Sequence, residues 1–204
     1  MSFFKKLFSK STEEKSEPEK KEVVNSETTH SEPQENQIKE IFTETYFNER
    51  YTLQNLNDNP SLLEGSLNMI ESFFMDNSVE KRVASPINHP ANLDQTMDEG
   101  LGFKMYCQAF QLDENQSTFF LALAFSDFFI KEFGFELYKD NEPEFPLRGM
   151  TLKYNKNGVL LSLYPYEYAS KVINYEAEFE SLHEKIKTTL GNMPSVDDVL
   201  DKYQ

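Results

Sequence analysis

One run of residues dictates most of what this chain can fold into. Between Phe119 and Phe133, the positions Phe119, Phe120, Leu121, Leu123, Phe125, Phe128, Phe129, Ile130 and Phe133 are apolar. At about 100° per residue they cover most of a helix's circumference. A helix apolar almost all round is buried on several sides or lies in a membrane. Crossing a bilayer takes about 20 uninterrupted apolar residues, whereas Ser126-Asp127 and then Lys131-Glu132 interrupt this run. The run therefore predicts a core helix around which the globular part is built. Its start is marked by Asp113-Glu114-Asn115-Gln116, a capping box in which the first side chain accepts an orphan N–H and the fourth reaches back. Its stop is Gly134, the residue type that takes the left-handed conformation at helix ends without strain. Asp127 and Lys131 stand four apart, acid first. That spacing predicts a helical ion pair worth about 0.2–0.5 kcal/mol, on a narrow solvated stripe with Ala124. The competing reading of Asp127 is a half-buried carboxylate facing a cleft, with the raised pKa an acid or base needs.

Downstream, Phe135-Glu136-Leu137-Tyr138 alternates as a strand does. After an acidic loop with prolines come Met150 to Tyr154 and Val159 to Tyr164, joined through Asn157-Gly158, a pair that tolerates the positive φ of a two-residue hairpin turn. That turn pairs Lys156 with Val159, Tyr154 with Leu161 and Leu152 with Leu163, so the larger apolar side chains share one face, and a slip of one residue would lose it. Pro165 suits a first helical turn and no later one. Beyond it Ala169, Val172, Tyr175 or Glu176, Phe179, Leu182, Ile186 and Leu190 recur at three- and four-residue steps, which predicts one long C-terminal helix. The expected fold class is α+β: helices packed on a small antiparallel three-stranded sheet, a long C-terminal helix and a disordered N-terminal tail. The order of helix, glycine, strand, hairpin, proline with aromatics and helix, carried by Phe129 to Tyr138 and Tyr164 to Ile173, resembles small bacterial domains of unknown function. Those domains often carry tryptophan on the first strand, where this chain has Leu137-Tyr138 and no tryptophan at all. The resemblance implies a fold and no activity.

Three segments are expected: residues 1–10, 11–36 and a single domain over 37–204. In the first, Phe3, Phe4, Leu7 and Phe8 fall on one helical arc with Ser2, Lys5, Lys6 and Ser9 opposite. This short basic amphipathic segment has no apolar core of a signal peptide. Phe3, Phe4, Lys5, Lys6, Leu7 and Phe8 are its candidate contacts with an anionic inner leaflet, binding weakly and reversibly. Residues 11–36 are polar and of mixed charge, and predict a disordered tether. Ile38, Ile41, Phe42 and Tyr46, with Phe47 beside them, mark a first helix ending before Tyr51. Asn59-Pro60 opens a second, with Leu62, Leu63, Leu67, Ile70, Phe73 and Phe74 inward. Ser78 to Leu93 reads as a long irregular link, with His89 a surface loop residue between prolines. A third helix is expected from Asp94 to Phe110. Gly100-Leu101-Gly102 lacks the third glycine and the preceding strand of a dinucleotide loop. Ser195-Val196-Asp197-Asp198 predicts a short final helix.

The chemistry is sparse. There is no Gly-x-Ser-x-Gly, no phosphate-binding Gly-Lys-Ser/Thr loop, and no histidine pair at metal-ligand spacing, so neither metal nor cofactor is expected. The three histidines are far apart, and any site using them would have to assemble in space. The one cysteine, Cys107, lies in an apolar stretch and reads as a buried thiol in a reducing compartment, not a nucleophile. The net charge is −15; the first 36 residues hold 6 lysines against 8 glutamates, leaving 14 basic residues against 27 acidic ones beyond them. Such a body repels nucleic acid and favours a basic protein partner. The expected function is a non-enzymatic, cytoplasmic protein-binding domain, held loosely at the inner face of the membrane by its first residues. Its candidate contacts are Tyr164, Tyr166, Glu167 and Tyr168, since tyrosine supplies rigid amphipathic area. Two alternatives are an immunity protein neutralising a cationic toxin, and a small hydrolase or isomerase using Asp127, or Asp98 and Glu99, with His89.

Overall fold

The computed structural model describes residues 43–156 and 159–192. The basic segment, the tether, Ile38, Ile41 and Phe42 of the first helix, the Asn157-Gly158 turn and the Ser195 cap lie outside the described residues. The elements run α1 (Thr43–Arg50), β1 (Tyr51–Gln54), α2 (Pro60–Asp76), α3 (Pro90–Asp98), α4 (Phe103–Ala109), α5 (Glu114–Phe133), β2 (Glu136–Asp140), β3 (Met150–Lys156), β4 (Val159–Leu163), α6 (Pro165–Ile173) and α7 (Phe179–Gly191). The fold is α+β, with seven described helices packed on an antiparallel sheet of order β1-β2-β3-β4.

α5 is the core helix its composition demands. Asp113 and Gln116 form both bonds of the capping box, and Gly134 closes the helix at φ 73°. Phe119, Leu121, Leu123, Phe125, Phe128 and Phe129 are all buried, each contributing about 1.5–3 kcal/mol on burial. The solvated stripe is a correction: Ala124 and Asp127 are buried as well. Asp127 keeps its bond from Lys131 Nζ at 2.8 Å, and accepts a second from Asn88 Nδ2 at 3.0 Å. A loop preceding α3 thus covers the polar notch at Asp127.

The hairpin register is as the alternation requires: Lys156 faces Val159, Tyr154 faces Leu161 and Leu152 faces Leu163. The sheet, however, has four strands. β1 pairs with β2 through Tyr51↔Asp140 to Gln54↔Leu137. Four residues carry too little pattern to announce a strand, and this one is placed by a contact 90 residues away in sequence: Arg50 Nε and Nη2 grip the Asp140 carboxylate at 2.9–3.1 Å. One face of the sheet presents Leu137 and Leu152 to the core. On the other, Phe47 of α1 packs against Tyr51 and Tyr138.

Three further expectations are corrected. Ser78 to Leu93 is not all irregular, because α3 begins at Pro90. Most residues on α3 are buried, polar ones included: Asn92 Oδ1 accepts from Val83 N, Asn92 Nδ2 donates to Val83 O, and Gln95 pairs likewise with Arg82 N and Glu80 O. The buried amides give the link's backbone the partners a strand would have given it. The third helix is two, α3 and α4, parted where Gly100 and Gly102 take φ 61° and 75°. The long C-terminal helix is also two. α6 ends at Ile173, Tyr175 takes φ 59°, and α7 starts at Phe179. The apolar stripe survives the break, with Ala169, Val172, Phe179 and Ile186 buried.

Replacing Arg50 with methionine strands the Asp140 carboxylate, which is 4% exposed. Leaving one member of such a pair alone costs on the order of 3 kcal/mol. Urea denaturation of R50M should show that loss, and an unchanged midpoint would mean that β1 is held by something other than this fork.

Candidate functional site

Pro165 ends β4 and starts α6 in a single step, because it can open a helix but cannot extend the strand ladder. The resulting corner leaves a hollow of about 150 Å³ between the end of β4, the first turns of α6 and Leu182 of α7. Phe125 of α5 forms its floor; Leu163, Tyr164, Pro165 and Tyr168 form its walls; Ser162, Glu167 and Lys171 form its rim. Three of the four candidate contact residues, Tyr164, Glu167 and Tyr168, therefore line one concavity. Tyr166 does not: it points inward, 6% exposed, with its ring 6.3 Å from that of Phe119. Helical spacing accounts for the split, since residues at 164, 167 and 168 share a face that 166 does not.

The walls are held in place. The Arg148 guanidinium lies over the rings of Phe145 and Tyr164, at 4.8 and 4.9 Å from their centroids. Arg148 Nε donates to Glu167 Oε2 at 2.6 Å, and Lys171 Nζ donates to Oε1 at 2.9 Å. These two donors, Arg148 foremost, hold the Glu167 carboxyl below the usual glutamate range. The Tyr168 hydroxyl donates to the Glu178 carbonyl at 2.8 Å. The hollow is thus lined by tyrosines held in place and by a carboxylate that is already paired.

Two histidines that are 94 residues apart meet where α3 packs on α7. The rings of His89 and His183 stand edge to face at 5.5 Å, and both lie against Phe128. His89 is not a loop residue free in solvent, as its flanking prolines suggest; its Nδ1 accepts from Ala91 N and caps α3. His183 is 4% exposed, and neither of its ring nitrogens has a hydrogen-bond partner. Glu184 Oε1 comes within 3.4 Å of Nδ1 without bonding it. Burial lowers the pKa of both rings, for His183 against the opposing pull of Glu184. Beside them α7 has no capping side chain of its own. Asp94 of α3 supplies it from across the interface, accepting from Phe179 N and Glu180 N at 2.8 Å each. Burial nonetheless raises the Asp94 carboxyl to about 6.

The remaining candidates are dispersed. Asp127 is bonded to Asn88 and Lys131. Asp98 pairs with Arg82 at 3.4 Å, and Glu99 accepts from Gln95 Nε2. Both stand at the far end of α3 from His89, roughly 13 Å along the axis at 1.5 Å per residue. Cys107 is fully buried, and burial pushes its thiol up to about 12. Among the described residues no group of three or more histidines, cysteines or carboxylates is placed to hold a metal ion. The hollow left no periodic signal in the sequence; the tyrosine-proline-tyrosine corner was its only trace. No known protein family, curated protein or solved structure matches this chain.

The α3–α7 junction makes opposite pH predictions for its two kinds of group. The Asp94 carboxyl is raised from 3.8 to about 6, so its contribution is full below the unfolded value and is lost as pH rises through about 6. Asp94→Asn removes that dependence, and its stability relative to wild type should rise between pH 4 and 7 in urea titrations. His183 is lowered from 6.5, so its contribution is present above that value and is lost as pH falls below it. His183→Leu removes two unpaired nitrogens and should stabilise the fold at pH 7 by on the order of 1 kcal/mol. It should also flatten the acid limb by the share that belongs to His183. A steeper acid limb in H183L would contradict the burial argument.

Proposed function

We propose that this chain is a non-catalytic protein-binding domain whose hollow between β4, α6 and α7 takes one apolar side chain from a positively charged partner. The observation that carries this reading is the hollow itself: about 150 Å³, floored by Phe125 and walled by Leu163, Tyr164 and Tyr168. That volume suits a single leucine-sized or aromatic side chain. Anchors of this kind, seated in preformed pockets, dominate the energy of many interfaces. The walls are preorganised by Arg148 over the Tyr164 ring and by the Tyr168 bond to Glu178, so little ordering cost falls on binding. Glu167 is already neutralised by Arg148 and Lys171, and the attraction for cations comes from the wider surplus of acids in a chain of net charge −15. Such a field acts mainly on the association rate. A reducing compartment suits the single buried thiol, and we place the protein in the cytoplasm. No helix among the described residues is long and apolar enough to cross a membrane.

Leu182→Trp tests the reading by filling the hollow from its α7 side. Leu182 is half-buried at the mouth, so the larger ring can be taken up with the fold intact, which a thermal melt checks. The full-length wild type should capture a basic protein from native lysate, with retention fading as salt rises, and L182W should lose roughly thirty-fold of that affinity, the scale of a hot-spot residue. Equal capture by the two chains, or no capture by the wild type at low salt, would remove the proposal.

A further inference from the structure

The hollow does not stand alone; it lies at the end of an open sheet edge. Among the described residues, order β1-β2-β3-β4 leaves β1 and β4 each with one side unpaired, and exposed edges invite pairing unless something blunts them. β1 is partly blunted by its own side chain: Gln54 Nε2 donates to the outward carbonyl of Leu53. β4 has no such protection. Its sequence, Val-Leu-Leu-Ser-Leu, contains neither a charge nor a proline. Lys156↔Val159 is the pair that closes the hairpin, and antiparallel bonds alternate from it. Leu161 and Leu163 therefore direct their main-chain groups to β3, while Leu160 and Ser162 direct theirs outward. No main-chain bond joins either of these two residues to another described element. Both are exposed, Leu160 by 68%.

We infer that the β4 edge is a strand-addition site for an extended, cationic peptide segment of a partner protein, which pairs with the N–H and C=O groups of Leu160 and Ser162. This rests on the proposed function and deepens it. Alternate side chains of an added strand fall on the core face, beside Leu161 and Leu163, and one at the strand's end meets the hollow lined by Leu163 and Tyr164. Main-chain bonds then supply affinity and the hollow supplies selection, the division of labour common to strand-addition domains. A second copy of the chain offers the same edge but also the same charge of −15. Self-repulsion at that charge argues for a partner of opposite sign.

The test is a displayed library of random twelve-residue peptides selected on the full-length chain. The expected binders alternate apolar residues with lysine or arginine and lack proline. Against the best binder, Leu160→Pro should lose about ten-fold or more in affinity, because proline deletes the outward N–H while the bonds to β3 stay intact. N-methylation of the peptide on its pairing side should do the same to the wild type. Hydrogen exchange on the unaltered protein should show the amides of Leu160 and Ser162 gaining protection on binding. L182W and L160P both weakening the peptide supports both readings. Binders sensitive to L182W but indifferent to L160P and to N-methylation leave the hollow standing and overturn strand addition. Binders indifferent to both variants, or no binders, overturn the two together. A dimer in sedimentation that L160P abolishes assigns the edge to a second copy and overturns the peptide assignment.

Discussion

α5 has no side that can meet water along its middle turns, and the arrangement of the other elements follows from that. From Leu121 to Phe129 every residue is buried. A single partner covers about a third of a helix's circumference, so several elements have to close on it at once. α2 and α4 bring Phe73, Phe103 and Tyr106, which pack edge to face among themselves. α6 and α7 bring Tyr168 and Phe179 against Phe125. Phe135 extends the same aromatic cluster from Phe129 toward Tyr154 on the sheet. Aromatic pairs at these separations add about 0.5–1.5 kcal/mol each beyond their burial. Interdigitated rings of this kind fix orientation as well as stability, because a ring turned or displaced loses its edge-to-face partner.

What could be read from the sequence was local. The capping box, Gly134, the proline at the start of α6 and the hairpin register each depend on residues within a few positions of one another, and each is present in the structure. What could not be read depends on contacts made across the chain. β1 exists because Arg50 reaches Asp140. The helix expected from Asp94 in fact starts at Pro90, a start hidden because the inward residues of α3 include Asn92, Asp94, Gln95 and Thr96, which a hydrophobic periodicity counts as outward. The break between α6 and α7 falls inside a stripe whose spacing continues across it, and only the left-handed Tyr175 reveals the turn. The candidate site shows the same division. Tyr164, Glu167 and Tyr168 could be named from composition, but the inward turn of Tyr166 and the presence of Leu182 and Phe125 required the packing.

The α3–α7 junction shows how buried polar groups act on specificity as much as on stability. Asp94 bonds two backbone donors, yet its pKa stands above the ordinary value because desolvation outweighs them. Ionised Asp94 is therefore a costly cap. It is also the side chain that tells α7 where to begin, since Glu178 at that position makes no capping bond. An apolar residue at 94 would avoid the desolvation and would leave the amides of Phe179 and Glu180 without these acceptors. Below pH 6.5 the Asp94 contribution and those of His89 and His183 run in opposite directions. Over that range they oppose one another, so the junction responds to acid less than its three groups would if all acted in one direction.

The same junction bears on the open side of the sheet. Had the stripe continued as one helix, its second half would have prolonged the axis of α6. The left-handed turn at Tyr175 instead sends α7 to α3, where Asp94 receives its first amides. Leu182 is the α7 residue lining the hollow at the end of β4. The consequence shows on neighbouring strands: Leu152 on β3 is fully buried, while Leu163 opposite it on β4, and Leu161 two residues before, remain half-exposed. Burial thus stops one strand short of the sheet's end. Covering β4 requires one more layer of backbone and side chains than the described part of this chain places there, and a strand laid along Leu160 and Ser162 has the geometry to supply it.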